Sequence, residues 1–215
     1  MKLYSRPLSP YAAAIRATAY LKNIPLKLID LPYPFQELIA DITPVQRVPV
    51  LVTGSGTSLF EAIIIAEYLE EKFTDIPLLP QDPKDRALTR LIARMAELEV
   101  LVPALNIFKL PADAADRQQK IDAQIAVMKR GLAILEERMT GEAYALGDHA
   151  TLADCWLLPI RFFLEPIKKL SNCPTLFDDY PKFDAYAQNA RQDDALATVW
   201  NEMHDGLVAF KPHLA

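Results

Sequence analysis

The chain contains little cysteine and little histidine, which limits the chemistry that those side chains can support. Its 215 residues include two cysteines, Cys155 and Cys173, which form no CxxC motif. Three histidines are present, His149, His204 and His213, and no pair shares a local metal-binding motif. The sequence therefore predicts two reduced thiols in or near the core, and it argues against a metal centre or a histidine-based triad.

The chain also lacks a long apolar run and an excess of basic residues. No run approaches the ~20 apolar residues that a membrane-spanning helix needs. Its 23 Lys and Arg against 28 Asp and Glu give a net charge of −5, which disfavours binding to nucleic-acid phosphates. The N-terminal residues contain no apolar signal core, so we expect a cytoplasmic protein with no nucleic-acid or membrane partner.

Strand and helix signals alternate over the first 75 residues. Lys2–Ser5 resembles a strand, and Ser9 followed by Pro10 is typical of an N-cap and the first residue of a helix. A second strand is predicted over residues 26–31, and a short helix over residues 35–41. This order predicts two parallel neighbouring strands joined by a helix, at one side of a small mixed sheet.

Residues 43–68 form the most informative stretch of the chain. An apolar run, a glycine turn, a second apolar pair and a helical pattern follow one another, which predicts a hairpin and then a helix. Pro49 stands at the start of the first run, where proline fits only at a strand start or edge. A proline after an extended valine, Val48, is also a candidate for a cis peptide bond. At the starts of this strand and this helix, backbone groups point outward. An extended small molecule could lie against them.

The rest of the chain is predicted to be helical. Three prolines within residues 75–83 indicate a rigid linker, so we expect domains over residues 1–75 and 84–215, with a linker over residues 76–83. Apolar residues then recur at helical spacing, and Pro103 is expected to kink or break the first of these helices. Thr151 and Asp154 are spaced as a capping box before an almost wholly apolar helix, which we expect to be central and buried.

The chain resembles the cytosolic glutathione S-transferase family. The resemblance runs in order over nearly the whole length, and its serine-type start is similar to that of tau-class members. It rests on these motifs: SPY at residues 9–11 with Arg16, TPVQRVPVL at 43–51, EAIIIAEYL at 61–69, LLP at 78–80, TLAD at 151–154 and YP at 180–181. It implies an N-terminal α/β thioredoxin-like domain of order βαβαββα, followed by an all-α helical bundle.

The resemblance implies glutathione as co-substrate and Ser9 as the catalytic residue. A free thiol has a pKa of about 8.5, so little of it is thiolate at neutral pH. A serine hydroxyl that donates to the sulfur, beside a helix N-terminus, favours the thiolate, which then attacks a small apolar electrophile. The alternative is that Ser9 only caps its helix.

Other residues are assigned by the same resemblance. Val48, before the presumed cis Pro49, pairs its backbone with the cysteinyl part of glutathione, and Arg47 lies near the glycyl carboxylate or is a solvated surface charge. Glu61 and Ala62 receive the γ-glutamyl end. Most members carry serine where this chain has Ala62, so one hydrogen bond to that carboxylate is missing. No cysteine occupies position 9 or 12, which disfavours thiol–disulfide chemistry.

The second substrate is expected between the first helix and the long helix after the linker. Four residues are candidates by position: Tyr11, Met95, Glu99 and Phe108. The resemblance also implies a homodimer acting in detoxification.

Two other functions stay open for the same fold. The first is a non-catalytic binding protein similar to the stringent-starvation regulators, which Ala62 favours. The second is a maleylacetoacetate-type isomerase, although the serine–cysteine cluster of those enzymes is missing from the first helix.

Overall fold

The structure is a computed structural model that describes residues 1–214. Its N-terminal part contains a four-stranded mixed sheet and two α-helices, with the following bounds: β1 Lys2–Ser5, α1 Pro10–Leu21, β2 Lys27–Asp30, β3 Val50–Val52, β4 Ser58–Phe60 and α2 Ala62–Lys72. The strand order is β2-β1-β3-β4. The β1–β2 pair is parallel and the β3–β4 pair is an antiparallel hairpin, as the chain pattern predicts. Strand β3 also pairs with β1, in the antiparallel direction.

One face of this sheet joins the main hydrophobic core. The register places Leu3, Leu51 and Leu59 side by side, and all three pack in the cluster that α1 and α2 contribute to. The helix predicted over residues 35–41 is only a 3₁₀ turn, Glu37–Ile39. The sequence there carries a single apolar residue, Ile39, that becomes fully buried, which is too little to stabilise a longer helix.

The C-terminal part is helical, which gives the predicted α/β plus all-α architecture. Its elements are α3 Pro83–Met95, a π-helical segment Ala96–Leu101, α4 Val102–Lys109, α5 Arg117–Arg138, α6 Leu152–Leu170, α7 Pro181–Ala190, α8 Asp194–Phe210 and a 3₁₀ turn Pro212–Leu214. Helix α6 is buried along most of its length and contacts α1, α3, α4, α7 and α8. Within residues 1–214, no helix combines the length and apolarity required to cross a bilayer.

Pro103 neither breaks nor sharply ends the helix that contains it. Helix α3 continues through the π-helical segment into α4, and Pro103 is near the start of α4. A π turn accommodates a residue without an N–H because the ladder is already widened there. Of the predicted kink or break at Pro103, the break does not occur, and a kink stays a prediction.

The start of α6 is closed by its own side chains. Asp154 is fully buried and accepts hydrogen bonds from Thr151 N at 2.8 Å and Thr151 Oγ1 at 3.0 Å. It also accepts from Ala145 N at 2.7 Å and from the Tyr186 hydroxyl at 3.0 Å. Burial raises the pKa of the Asp154 carboxyl, and these four donors oppose that shift. The predicted cap thus also joins α6 to α7 and to the loop before α6.

A buried ion pair ties the connection after α2 to the N-terminal part. Lys22 Nζ lies 2.5 Å from Glu70 Oε2 and also donates to the Ile76 carbonyl. Glu70 in turn accepts the N–H groups of Leu78 and Leu79, each 3.0 Å from Oε1. The Leu78 carbonyl accepts from Leu152 N at 2.8 Å, so this connection is bonded to the start of α6.

Candidate functional site

A small cleft lies where the N-terminal part meets the π-helical segment. It encloses about 120 Å³ and is lined by these residues: Tyr11, Val45, Arg47, Val48, Pro49, Glu61, Ala62 and Glu97. Ligand pockets commonly measure ~300–1,000 Å³, so a molecule bound here lies partly in solvent. All five residues predicted to bind glutathione line this one cleft.

Val48 brings an unpaired stretch of backbone to the cleft. The Val48–Pro49 peptide bond is cis, and β3 begins only at Val50. Among the hydrogen bonds between residues 1–214, none involves the backbone N–H or carbonyl of Val48. A backbone exposed in this way can pair with an extended ligand as a further strand would.

The start of α2 is open toward the same cleft. Glu61, its N-cap residue, has φ 69° and supplies no side-chain bond to the helix. The N-caps of α1, α3 and α8 do supply such a bond, from Ser9, Asp82 and Asp193. A non-glycine residue at positive φ is strained by ~1–3 kcal/mol, and such strain recurs at functional sites. Ala62 adds no side-chain acceptor, so the first N–H groups of α2 are available to an anion.

Arg47 and Glu61 place opposite charges at the edge of the cleft. Arg47 Nη2 lies 3.9 Å from Glu61 Oε1, and the two side chains are 75% and 59% exposed. A loose pair at this exposure contributes little to folding. Both groups can therefore move to a charged ligand at small cost.

Ser9 caps α1 as the sequence predicts. Its Oγ accepts from Ala12 N at 3.3 Å, and its own N–H bonds to the Arg6 carbonyl at 3.1 Å. The cap uses a lone pair of the hydroxyl oxygen and leaves the hydroxyl hydrogen to donate elsewhere. Capping and donation to a sulfur are therefore compatible in a single rotamer.

Tyr11 and Glu97 also line the cleft. Burial, followed by the charge of Glu97, raises the pKa of Tyr11 to about 12, so its hydroxyl stays protonated as a donor. Glu97 is held by Arg94, with Nη1 2.7 Å from Oε2. Glu97 was not predicted from the sequence, because its orientation depends on a π-helical turn that no local pattern indicates.

The other predicted second-substrate residues lie elsewhere. Among residues 1–214, the lining of the cleft includes Tyr11 but not Met95, Glu99 or Phe108. Met95 packs against the hydrophobic core. Glu99 faces α5, where a Cβ added at Gly131 would lie 2.7 Å from Glu99 Cβ.

Phe108 belongs to an aromatic contact further along α4. Its ring centroid lies 5.0 Å from that of Phe163, and Lys211 Nζ lies 4.3 Å from the Phe108 centroid. The structure thus groups Phe108 with the end of the chain, outside the cleft lining.

Two family models match the chain in order along its length. The model described as "Glutathione S-transferase, N-terminal domain" matches residues 3–77. The model described as "Glutathione S-transferase, C-terminal domain" matches residues 118–189. The chain belongs to the glutathione S-transferase family.

Individual members of this family are similar over most of the chain. Glutathione S-transferase 1 of Dianthus caryophyllus is 33% identical over 167 residues, which cover 74% of this chain and 75% of that protein. A probable maleylacetoacetate isomerase of Caenorhabditis elegans is 30% identical over 209 residues, which cover 90% of this chain and 96% of that protein.

A solved family structure has the same fold. The glutathione S-transferase of Methylobacillus flagellatus, crystallised with glutathione bound, aligns with a TM-score of 0.78 and 23% identity. The alignment covers 92% of this chain and 98% of that one. At this identity the similarity demonstrates the shared glutathione S-transferase fold.

Proposed function

We propose that this protein is a glutathione transferase that conjugates the glutathione thiolate to small apolar electrophiles. The observation that carries the proposal is the pairing of two unsatisfied backbone elements in one cleft. These are the free backbone of Val48 and the uncapped start of α2 at Glu61–Ala62. The family membership and the glutathione-bound relative also support glutathione as the ligand.

In this proposal glutathione lies extended along the cleft. Its cysteinyl backbone pairs with Val48 as an added strand, and its γ-glutamyl carboxylate binds the first N–H groups of α2. The glycyl carboxylate meets Arg47, whose mobile, exposed side chain can reach it. Each of the two carboxylates of the peptide then has a positively polarised partner in the cleft.

Ser9 activates the thiol. Its hydroxyl donates to the sulfur while its Oγ still caps α1, and the positive end of the α1 dipole adds to the effect. Both interactions favour the thiolate and lower the thiol pKa. The thiol proton passes to solvent, and the thiolate forms a C–S bond with the electrophilic carbon while a leaving group departs with the electron pair of its own bond to that carbon.

Two measurements test this function. Calorimetry should show glutathione binding with a Kd in the millimolar range or tighter, and weaker binding would exclude the transferase. Ser9→Ala should lower the conjugation rate and move the pH midpoint upward, because the thiolate loses its donor.

A matched variant separates activation from capping. Asp82 caps α3 through Lys84 N at 2.9 Å, and it lies outside the cleft. Asp82→Ala should cost about 1 kcal/mol of stability, as a lost cap does, with an unchanged pH profile. If Ser9→Ala behaves in the same way, Ser9 is only a cap.

An isomerase is the second candidate, favoured by the 30% identity to the Caenorhabditis elegans protein over nearly its full length. Both reactions use the same thiolate, so the product decides between them. Cis–trans isomerisation of a maleyl substrate without net consumption of glutathione would assign the isomerase. A protein that binds no glutathione and catalyses neither reaction would be a binding protein on this fold.

The proposal includes a cytoplasmic homodimer. Ile64 on α2, Leu91 on α3 and Leu98 in the π-helical segment are 53%, 43% and 42% exposed. The elements α2 and α3 are joined by an ion pair between Arg90 and Glu67, so these side chains lie on neighbouring elements. Sedimentation should give a dimer, and Leu91→Glu should shift it to the monomer.

A further inference from the structure

The loop that carries Ser9 is held by a buried arginine on α1. Arg16 is 2% exposed, and its Nη1 donates to Ser5 Oγ at 2.8 Å and to the Arg6 carbonyl at 3.2 Å. Its Nη2 donates to the Pro7 carbonyl at 2.7 Å. The Arg6 carbonyl also accepts the Ser9 N–H at 3.1 Å, so a single oxygen links the guanidinium to Ser9.

The guanidinium is in turn held by the last helix of the other half of the molecule. Glu202 on α8 accepts Arg16 Nε at 2.6 Å through Oε2. Its Oε1 accepts the Tyr20 hydroxyl, also at 2.6 Å. Burial and the bond to Glu202 raise the pKa of Tyr20, so this hydroxyl remains a donor. Both carboxylate oxygens are therefore occupied by groups of α1.

The same helix touches the Ser9 loop directly one turn further on. A Cβ added at Gly206 would lie 2.8 Å from Pro7 Cβ and 2.9 Å from Leu8 N. Glycine at this position lets α8 approach the loop more closely than any other residue would. Helix α8 thus fixes the loop by packing at Gly206 and by charge at Glu202.

A buried guanidinium keeps this position only while its charge is compensated. The Ser5, Arg6 and Pro7 oxygens are neutral, and Glu202 is the carboxylate bonded to Arg16. Removing that charge leaves a buried cation, which must recruit water or turn toward it. Either change releases the Arg6 and Pro7 carbonyls and loosens the bonds that orient Ser9.

We propose that Arg16 and Glu202 are positioning residues, through which α8 of the helical half sets the orientation of the Ser9 hydroxyl. The proposal rests on the proposed function for its catalytic consequence. Its structural part, control of the Ser9 loop from α8, stands on the contacts alone.

The chain offers a matched control in a second arginine. Arg161 on α6 is 5% exposed and bonds through Nη2 to Asp184 on α7 at 2.9 Å, far along the chain from Ser9. Asp184→Asn removes one of the two carboxylates paired with this buried arginine, since Glu165 also pairs with its Nη1. It should lower stability without reaching the Ser9 loop.

The experiment compares Glu202→Gln with Asp184→Asn in the full chain. Two amides report on the loop without any ligand: Ser9 N–H, which is bonded to Arg6, and Ala12 N–H, which is bonded to Ser9 Oγ. In Glu202→Gln, hydrogen exchange at both amides should rise roughly threefold to tenfold, the effect of about one lost hydrogen bond. In Asp184→Asn it should stay at the wild-type rate.

A second readout follows ionisation of the glutathione thiol by its ultraviolet absorption. Glu202→Gln should raise the pH midpoint of the bound thiol, whereas Asp184→Asn should not. Tyr20→Phe, a milder change that keeps the ion pair, should shift both readouts the same way by less, and it serves if Glu202→Gln does not fold.

The outcomes separate the two proposals. Wild-type exchange at Ser9 and Ala12 in the Glu202 and Tyr20 variants would overturn the positioning role, whether or not glutathione binds. Faster exchange with an unchanged thiol midpoint would overturn its catalytic consequence. If the wild-type protein binds no glutathione, the proposed function fails, and the exchange rates still decide whether α8 controls the loop.

Discussion

The helix starts of α6 and α2 differ in how their backbone donors are satisfied. At α6, the N-cap N–H of Thr151 donates to the fully buried Asp154, and the first helical N–H, that of Leu152, donates to the Leu78 carbonyl, both at 2.8 Å. At α2, Glu61 lies at positive φ and gives the helix no side-chain bond. The first start is closed within the protein, whereas the second leaves its donors to the cleft.

This difference follows from where the two helix starts lie. A buried helix start has no access to water, so its donors must be satisfied internally or the fold loses their full cost. A start at a cleft can remain open because water satisfies it until a ligand arrives. Helix α5 also begins at a residue of positive φ, Asp116, without a side-chain cap, so the start of α2 is distinguished by its position on the cleft.

The largest expected effect is a loss of stability when the buried carboxylate at the start of α6 is removed. Asp154→Ala strands the donors of Thr151, Ala145 and Tyr186, so we expect a loss of ~3–5 kcal/mol in unfolding free energy. Asp193→Ala removes the more exposed cap of α8 and should cost ~1 kcal/mol. Urea denaturation of both variants measures the contrast, and equal losses would show that the α6 start is no more buried than that of α8.

The next largest effect is expected at the C-terminal end of α2. There Glu70 forms a buried ion pair, whereas the N-terminal start of the same helix has no cap. Glu70→Gln leaves the buried Lys22 charge without its counterion, and we expect a loss of ~2–4 kcal/mol. Glu67→Gln removes a half-exposed pair with Arg90 and should cost less than ~1 kcal/mol. Denaturation curves measure both losses. A Glu70 variant as stable as the Glu67 variant would contradict a stabilising role for the buried Lys22–Glu70 ion pair.

A third substitution tests ligand binding at the uncapped start of α2. Ala62→Ser adds a hydroxyl where a γ-glutamyl carboxylate would lie, and one charge-assisted bond of ~1.5–3 kcal/mol should tighten glutathione binding tenfold or more. Ala195→Ser, in the first turn of α8, makes the same change away from the cleft and should leave binding unchanged. Calorimetry measures both, and unaltered affinity in Ala62→Ser would place the carboxylate elsewhere.

The smallest effect is expected at the edge of the cleft. Arg47 is three-quarters exposed, so Arg47→Ala should weaken glutathione binding only about twofold to fivefold, as for an exposed ion pair. The wild-type affinity should fall toward that of the variant as salt is added, because exposed charges are screened. Binding that is insensitive to both salt and this substitution would show that Arg47 is only a surface charge.

The parts of the molecule that the sequence predicts are those with local signals. Ser9–Pro10 and the Thr151–Asp154 spacing define helix starts within three or four residues, and the hairpin before α2 follows from its glycine turn. The cleft residues Arg47, Val48, Pro49, Glu61 and Ala62 were assigned through the resemblance to the family, and Val45 was not singled out. Helix caps and turns are set by neighbours along the chain, so their patterns survive in the sequence.

The parts it does not predict depend on distant contacts or on register. Glu97 rather than Glu99 lines the cleft because of a π-helical turn, and Glu99 instead meets α5 at Gly131. The bond between Arg16 and Glu202 joins positions 186 residues apart. The residues around Glu202 in the sequence do not indicate that its partner is Arg16, because only the fold brings the two side chains together.

The hydrogen bonds and ion pair of Glu70 also limit how the cleft can change when a ligand enters or leaves. The cleft is lined from both halves of the molecule, yet the connection between them is bonded to Lys22, Glu70 and the start of α6. Swinging the halves apart would break the bonds from Leu78 and Leu79 to Glu70 or the bond from Leu152 to the Leu78 carbonyl. The two walls of the cleft are therefore held at a fixed spacing, and a ligand arriving from solvent meets a surface that needs no closure.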